Sequence, residues 1–347
     1  MVALGFVATA CSGASTTAST SSPAGGTTAL AATGGDTGTT VGTAPGTTVP
    51  KAPTQSAGCA KGTTAEPGPS EHTIMSDGVE RKYQVTVPKG YDGKPLPIVF
   101  GLHALTVTYL IVPSMTGFAD FPNYQFLGVA PSGRLNGTTP YWLAAASPEN
   151  YDLDFFNDLL DQLEADYCVD ATRVYSVGMS NGAQMSSVLA CKLPDRVTAV
   201  APIAGVEWFD TCDGRPIPVM AFHGAMDPIV TYEGGGLNGV TISNQQFWKG
   251  EVPAGTPTQK GVDASMAAWA KHNKCDPEPV EERISPEVRK RTWQHCEADT
   301  ILYIVDNGGH AWPGKPQPAF EKSFGHGTKD IDASKLLFDF FFTHPTP

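Results

Sequence analysis

Residues Val174-Tyr-Ser-Val-Gly-Met-Ser180-Asn-Gly-Ala183 constrain this chain more than any other stretch. A β-branched and aromatic run breaks at Gly178-Met179-Ser180-Asn181-Gly182 and resumes as helix-compatible sequence as far as Cys191. The pattern predicts a strand, a sharp turn and a helix, with a serine at the apex. A serine hydroxyl is a weak nucleophile until it is exposed and held against a base. Small residues at 178 and 182 let the flanking backbones approach closely. The bare G-x-S-x-G string also fits an ordinary small-residue turn, but the strand before it and the helix after it favour a nucleophile elbow.

Partners for the serine are expected downstream, in the order acid then histidine. Pro218-Val-Met-Ala-Phe-His-Gly-Ala-Met-Asp227 reads as an apolar strand ending in a glycine turn that carries an acid. Thr300-Ile-Leu-Tyr-Ile-Val-Asp-Asn-Gly-Gly-His310 reads as a second, ending in a Gly-Gly turn that presents a histidine. Active sites of open α/β sheets form beyond the carboxyl ends of strands, where all three residues fall. Ser180 is thus the candidate nucleophile, His310 the base, and Asp227 the group that fixes the imidazole tautomer. His103 and His223 are weaker candidates for the base, and Asp210 and Asp213 for the acid, because they lack this order or placement. The oxyanion would be met by the N–H of Asn181 and by a second donor from the loop after Pro97-Ile-Val-Phe-Gly-Leu-His103-Ala104-Leu105, with Leu105 the expected one.

Gly-Met-Ser180-Asn-Gly-Ala, Ala-Phe-His-Gly-Ala-Met-Asp227-Pro and Gly-Gly-His310-Ala-Trp312-Pro-Gly together resemble the secreted polyhydroxybutyrate depolymerase and feruloyl esterase family of α/β-hydrolases. The resemblance covers roughly residues 58 to 345, and the Gly-Gly-His-x-Trp-Pro-Gly element is its most specific part. It implies hydrolysis of carboxylic esters without a metal or cofactor, and it carries the three catalytic roles onto Ser180, Asp227 and His310. The family usually reads His-Gly at the oxyanion loop, whereas this chain has His103-Ala104. If that position needs φ > 0, the alanine is strained.

Elsewhere the hydrophobic pattern predicts strands at 81–87, 97–102, 126–130, 173–177 and 197–203, and helices near 113–120, 154–163, 182–191, 263–272 and 332–343. Alternating strands and helices mean an α/β fold: a mainly parallel central sheet with helices on both faces. Trp312, two residues past the base, and Trp142 are candidate walls of the substrate pocket. The Gly- and Asn-rich segment 231–262 is expected either to overhang the acid side of the site or to be a surface excursion.

The termini and cysteines bear on location. Residues 1–11 are a short apolar run ending in Cys11, like the end of a bacterial lipoprotein signal whose beginning lies upstream; Cys11 would be the lipidated residue. Residues 12–57, almost all Thr, Ser, Gly, Ala and Pro, are expected to form a disordered tether before a catalytic domain at 58–347. Such a coil spans roughly 35–40 Å. Of the seven cysteines, six remain beside Cys11. Sequence order suggests the pairs Cys191–Cys212, Cys275–Cys296 and Cys59–Cys168, and hence an oxidising compartment. The spacing of His and Cys matches no zinc motif. The chain has a formal net charge of −12, and all of it falls on residues 58–347. That balance argues against nucleic acid and anionic membranes as electrostatic partners. A monomer acting on extracellular esters is expected, with polyester or hydroxyacid esters favoured because no basic residue near the motifs offers itself to a charged sugar acid. Feruloyl esters are the alternative, and a non-catalytic polymer-binding module is the alternative of another class.

Overall fold

The computed structural model describes residues 54–61, 65–118, 120–121, 123–234, 260–316 and 318–344. Cys11, the tether up to residue 53 and most of segment 231–262 lie outside the described residues. The described residues form one compact unit.

Its frame is a ten-stranded sheet. The strands are β1 (Gly68–Ser76), β2 (Val79–Val87), β3 (Leu96–Leu102), β4 (Leu127–Pro131), β7 (Val169–Met179), β8 (Ala199–Ile203), β9 (Val219–Gly224), β10 (Val280–Arg283), β11 (Val288–Thr292) and β12 (Thr300–Val305); β5 (Arg134–Asn136) and β6 (Thr139–Tyr141) form a separate hairpin. The sheet order is β1-β2-β4-β3-β7-β8-β9-β12-β11-β10. From β4 to β12 every neighbour is parallel, and the two outer strands on each side are antiparallel. The expected α/β-hydrolase architecture is therefore present.

The central strands are continuous apolar runs because both faces are covered. Every residue of β3, β4, β8, β9 and β12 is buried. Alternate side chains feed two cores. Ile98, Phe100 and Leu102 meet Phe155, Leu159, Met185, Met266 and Trp269 on one face. Val99, Tyr175, Val177 and Phe222 meet Leu337, Phe338 and Phe341 on the other. The covering helices are α2 (Tyr151–Asp166), α3 (Asn181–Lys192), α4 (Val262–His272) and α6 (Ala333–Thr343); α1 (Val112–Thr116) and α5 (Glu321–Phe324) are single turns. Helix α1 is shorter than its apolar pattern predicts because Gly117, at φ 76°, caps it in the left-handed region. Among the described residues no helix is long and apolar enough to cross a membrane.

Two expectations need correction. Residues 54–57 belong to the folded unit rather than to the tether. Ser56 N–H donates to Val169 O (3.1 Å), Thr54 N–H donates to Asp170 Oδ1 (3.2 Å), and the Cys59–Cys168 disulfide fixes the segment. Cys275–Cys296 is also bridged, but Cys191 and Cys212 are free thiols. They touch as hydrogen-bonding neighbours, and that contact together with burial pushes the Cys191 thiol far up, holding it protonated. Nearness in sequence brought this pair into contact without joining it.

One buried ion pair ties the sheet to the loops beneath the site. Arg81 on β2 donates to Asp152 Oδ1 (2.8 Å) and to Ser132 O (3.0 Å), while Asp152 Oδ2 accepts from Leu143 N–H (2.8 Å). The Arg81 guanidinium also lies 4.0 Å from the Phe155 ring centroid. Burial pushes the Asp152 carboxyl up, and Arg81 opposes the shift. Arg81→Met would strand this carboxylate and should lower unfolding stability by about 3–5 kcal/mol, the range for breaking a buried pair. Urea denaturation measures it, and a loss below about 1 kcal/mol would contradict the assignment.

Candidate active site

Strand β7 delivers Ser180 to the carboxyl edge of the sheet in an unusual backbone conformation, φ 58° and ψ −120°. Such a residue is strained and persists only where its surroundings over-determine it. Ser180 N–H donates to Ile203 O (2.9 Å), and Ser180 O accepts from Gln184 N–H (3.0 Å). The motif glycines make the turn possible. A Cβ on Gly178 would collide with Gly182 O, and one on Gly182 would collide with Leu102 O and His103 O. The elbow therefore lies backbone to backbone on the loop after β3.

Asp227 and His310 emerge from the adjacent parallel strands β9 and β12. His310 Nδ1–H donates to Asp227 Oδ2 (2.8 Å), and both side chains are buried. Asp227 Oδ1 accepts from the N–H groups of Ile229 (2.8 Å) and Val230 (2.9 Å). His223 Nε2 lies 3.5 Å from Asp227 Oδ2 and donates to Val230 O (2.8 Å), which fixes its proton on Nε2. Burial drives the His223 pKa down, with Asp227 pulling the other way, so it stands beneath the acid as a neutral donor. The Gly-Gly turn is needed because a Cβ on Gly309 would collide with Phe324 O, the carbonyl that accepts the His310 N–H. Asp227 and His310 are thus brought together as the sequence anticipates. Among the described residues Ser180 Oγ makes no hydrogen bond to His310; such catalytic contacts often tighten only with substrate.

The loop after β3 carries the second expected oxyanion donor. Thr106 N–H donates to Pro140 O (3.0 Å) and Val107 N–H to Ala104 O (3.1 Å). Among the described residues Leu105 N–H has no partner, and Asn181 N–H is one of the orphan donors at the start of α3. Ala104 does not have positive φ, so the feared strain is absent there; it sits at Thr106, at φ 68°. His103 is buried beneath this loop, with Nδ1–H donating to Ala104 O (2.9 Å) and Nε2 accepting from Gly133 N–H (2.8 Å).

The two tryptophans do not line the site. Trp142 is 2% exposed; it packs on His103 and Phe156, and its Nε1–H donates to His103 O (3.1 Å). Trp312 is 3% exposed, with Nε1–H donating to Ser334 Oγ (3.0 Å) at the start of α6. Both find an indole hydrogen-bond partner inside the core, which removes the reason for either to face solvent. The exposed apolar groups beside the base are others. Phe324 is 38% exposed, with its ring centroid 6.2 Å from that of His310, and Met226, next to the acid, is 69% exposed. No motif marks either position in the sequence. Among the described residues no cluster of three or more His, Cys, Asp or Glu could hold a metal ion.

The mainly parallel sheet, the strained serine after its fifth strand in chain order, Asp227 after the strand two away and His310 after the strand three away define an α/β-hydrolase. No family model matches the chain. Feruloyl esterase B of Piromyces equi is 30% identical over 257 residues, 70% of this chain and 45% of that protein. The probable feruloyl esterase C of Aspergillus oryzae is 30% identical over 199 residues, 55% of this chain and 67% of that protein. The chain belongs to the feruloyl esterase family of α/β-hydrolases. The matched region spans just under half the length of the Piromyces protein. An acetyl xylan esterase from Aspergillus awamori shares the fold, with a TM-score of 0.51 at 17% identity over 70% of this chain and 94% of that one.

His103 makes the site sensitive to acid. Burial holds its pKa down from 6.5 to about 4, the bond to Ala104 O opposing the shift. The unfolded chain takes up this proton first, so the stability is complete above about pH 6.5 and drains as pH falls toward 4. The contribution is at most about 3 kcal/mol. His103→Gln should flatten stability against pH across this window, read by urea unfolding at both ends; equal slopes would contradict it.

Proposed function

We propose that the chain is a serine carboxylic ester hydrolase acting on hydroxycinnamoyl esters such as feruloyl esters. The observation that carries the reading is the buried Asp227–His310 pair, 2.8 Å apart, at the same sheet edge as the strained Ser180. Ser180 Oγ attacks the ester carbonyl carbon and gives its proton to His310 Nε2. The carbonyl electrons move onto oxygen, which is met by Asn181 N–H and Leu105 N–H. Collapse expels the alcohol, which takes the proton from His310. Water then attacks the acyl-enzyme by the same route and releases the acid.

Family membership favours feruloyl esters over the polyester substrates that the sequence reading preferred. That preference rested on the lack of a basic partner for a charged sugar acid. A feruloyl ester needs none, because its acyl part is aromatic and its alcohol can be a neutral sugar. The half-exposed Phe324 stands against the base that protonates the leaving oxygen, and it supports binding on the alcohol side. The Cys59–Cys168 and Cys275–Cys296 disulfides support an extracellular setting. Anchoring through Cys11 remains part of the proposal and is checked by detergent partitioning of the full chain.

Methyl ferulate should be hydrolysed with kcat/KM more than tenfold above a 3-hydroxybutyrate oligomer, about 1.4 kcal/mol of discrimination. The reverse preference restores the polyester reading. Ser180→Ala and His310→Ala should each lower kcat on the order of 10⁴-fold or more, and Asp227→Asn less. Phe324→Ala should cost about tenfold on a feruloyl sugar ester and little on methyl ferulate. Activity within tenfold of wild type in Ser180→Ala would move the nucleophile elsewhere.

A further inference from the structure

The Asn181 side chain forms a bidentate pair with one peptide segment. Its Oδ1 accepts from Trp142 N–H (2.8 Å), and its Nδ2–H donates to Trp142 O (3.1 Å). The amide thus pairs with residue 142 as a neighbouring strand would. The same residue 142 closes on the loop after β3, because Trp142 Nε1–H donates to His103 O (3.1 Å) and the indole packs 4.9 Å from the His103 ring. Pro140 O, two residues earlier, accepts the N–H of Thr106 (3.0 Å). His103 in turn accepts from Gly133 N–H (2.8 Å), ahead of the β5–β6 hairpin. These bonds make a closed circuit from the elbow through residue 142 to the oxyanion loop.

At the two ends of the circuit sit non-glycine residues in the left-handed region: Ser180 at φ 58° and Thr106 at φ 68°. Thr106 is β-branched, so that conformation is costly and has to be held by its surroundings. The two expected oxyanion donors, Asn181 N–H and Leu105 N–H, are each next to one of the strained residues. Oxyanion stabilisation depends on donors fixed before charge develops, and small displacements weaken it steeply. Trp142 and His103 at the centre of the circuit are buried, Asn181 and Pro140 are half-buried and Thr106 is exposed, so the bonds at its centre are the ones shielded from exchange with water.

From this geometry we infer that the Asn181 side chain is a positioning residue: it locks the elbow to residue 142 and so sets the spacing of the two oxyanion donors. Trp142 is the relay of the same device. The inference rests on Ser180 being the nucleophile. It assigns to the Asn181 amide a role separate from its backbone N–H, which any residue would supply. A device of this kind acts on the tetrahedral state and not on ester binding, so its loss falls on kcat.

The test uses the full chain and a short p-nitrophenyl ester. Asn181→Ala removes both bonds, and Asn181→Asp keeps the shape and the acceptor but loses the donor. Each should lower kcat by tenfold or more with KM within threefold of wild type. Each should weaken, by a similar factor, a trifluoromethyl ketone that adds to the serine hydroxyl. Trp142→Phe, which removes the Nε1–H, should lower kcat likewise, and combining it with Asn181→Ala should cost less than the product of the two losses because both break one circuit. If Asn181→Ala does not fold, Asn181→Asp and Trp142→Phe decide the matter. A kcat within threefold of wild type in the folded variants, or a loss carried by KM, or ketone binding left intact, overturns the inference. Ser180→Ala separates the two levels: if it keeps activity, the nucleophile assignment fails and this inference with it. If it is inactive while Asn181→Ala keeps its kcat, only the inference fails.

Discussion

The left-handed backbone at Ser180 is the constraint around which the molecule is organised. A serine at φ 58° and ψ −120° is costly, on the order of 1–3 kcal/mol, and a sharp strand-to-helix turn cannot be made without it. The cost is tolerated because β7 lies at the middle of the sheet, paired on both sides by parallel strands. Gly178 and Gly182 remove the Cβ atoms that would otherwise prevent closure. The hydrogen bond from Ser180 N–H to Ile203 O passes the restraint to β8, and the bond from Ala204 N–H to Phe222 O passes it on to β9. The elbow and the acid-bearing turn are therefore fixed by one run of backbone hydrogen bonds along the sheet edge.

Around this frame the structure keeps His103 and His223 neutral and supplies Asp152 and Asp227 with donors. Asp227 is held by two backbone N–H groups and His310, with His223 as a more distant fourth neighbour. That arrangement suits a carboxylate out of water, because its lone pairs are met by N–H donors. His103 and His223 have their pKa values depressed by burial, so neither sets a competing positive charge beside the base. Arg81 and Asp152 satisfy one another below the loops that hold Trp142. The chemistry at the edge thus rests on a polar layer with its geometry fixed in advance.

Most of the central sheet was legible because its strands are unbroken apolar runs, and the candidate residues were legible because each follows such a run at its carboxyl end. The outer strands were not. Residues of β1 such as Ser70, Glu71 and Thr73, and of β10 such as Glu281 and Glu282, are polar and exposed, as in edge strands generally, and carry no clear apolar alternation. The tryptophans misled for a physical reason. An indole near a motif can serve a pocket or a core, and the hydrogen bonds from Trp142 to His103 O and from Trp312 to Ser334 Oγ, which decide for the core, come from residues distant in sequence. Phe324 is invisible for the same reason, since only folding brings it to His310. Ala104 raised concern by analogy, but the chain takes the left-handed step two residues later, at Thr106.

The central claim is that Ser180 is a nucleophile activated by the Asp227–His310 pair, and covalent trapping tests it most directly. A fluorophosphonate reacts with an activated serine by displacing fluoride and forming an oxygen–phosphorus bond, and peptide mass spectrometry then locates the adduct. The account predicts one adduct per chain, on Ser180, formed quickly in the wild type and slowed at least a hundredfold in His310→Ala. An adduct on another residue, no adduct at all, or labelling of His310→Ala at the wild-type rate would contradict it.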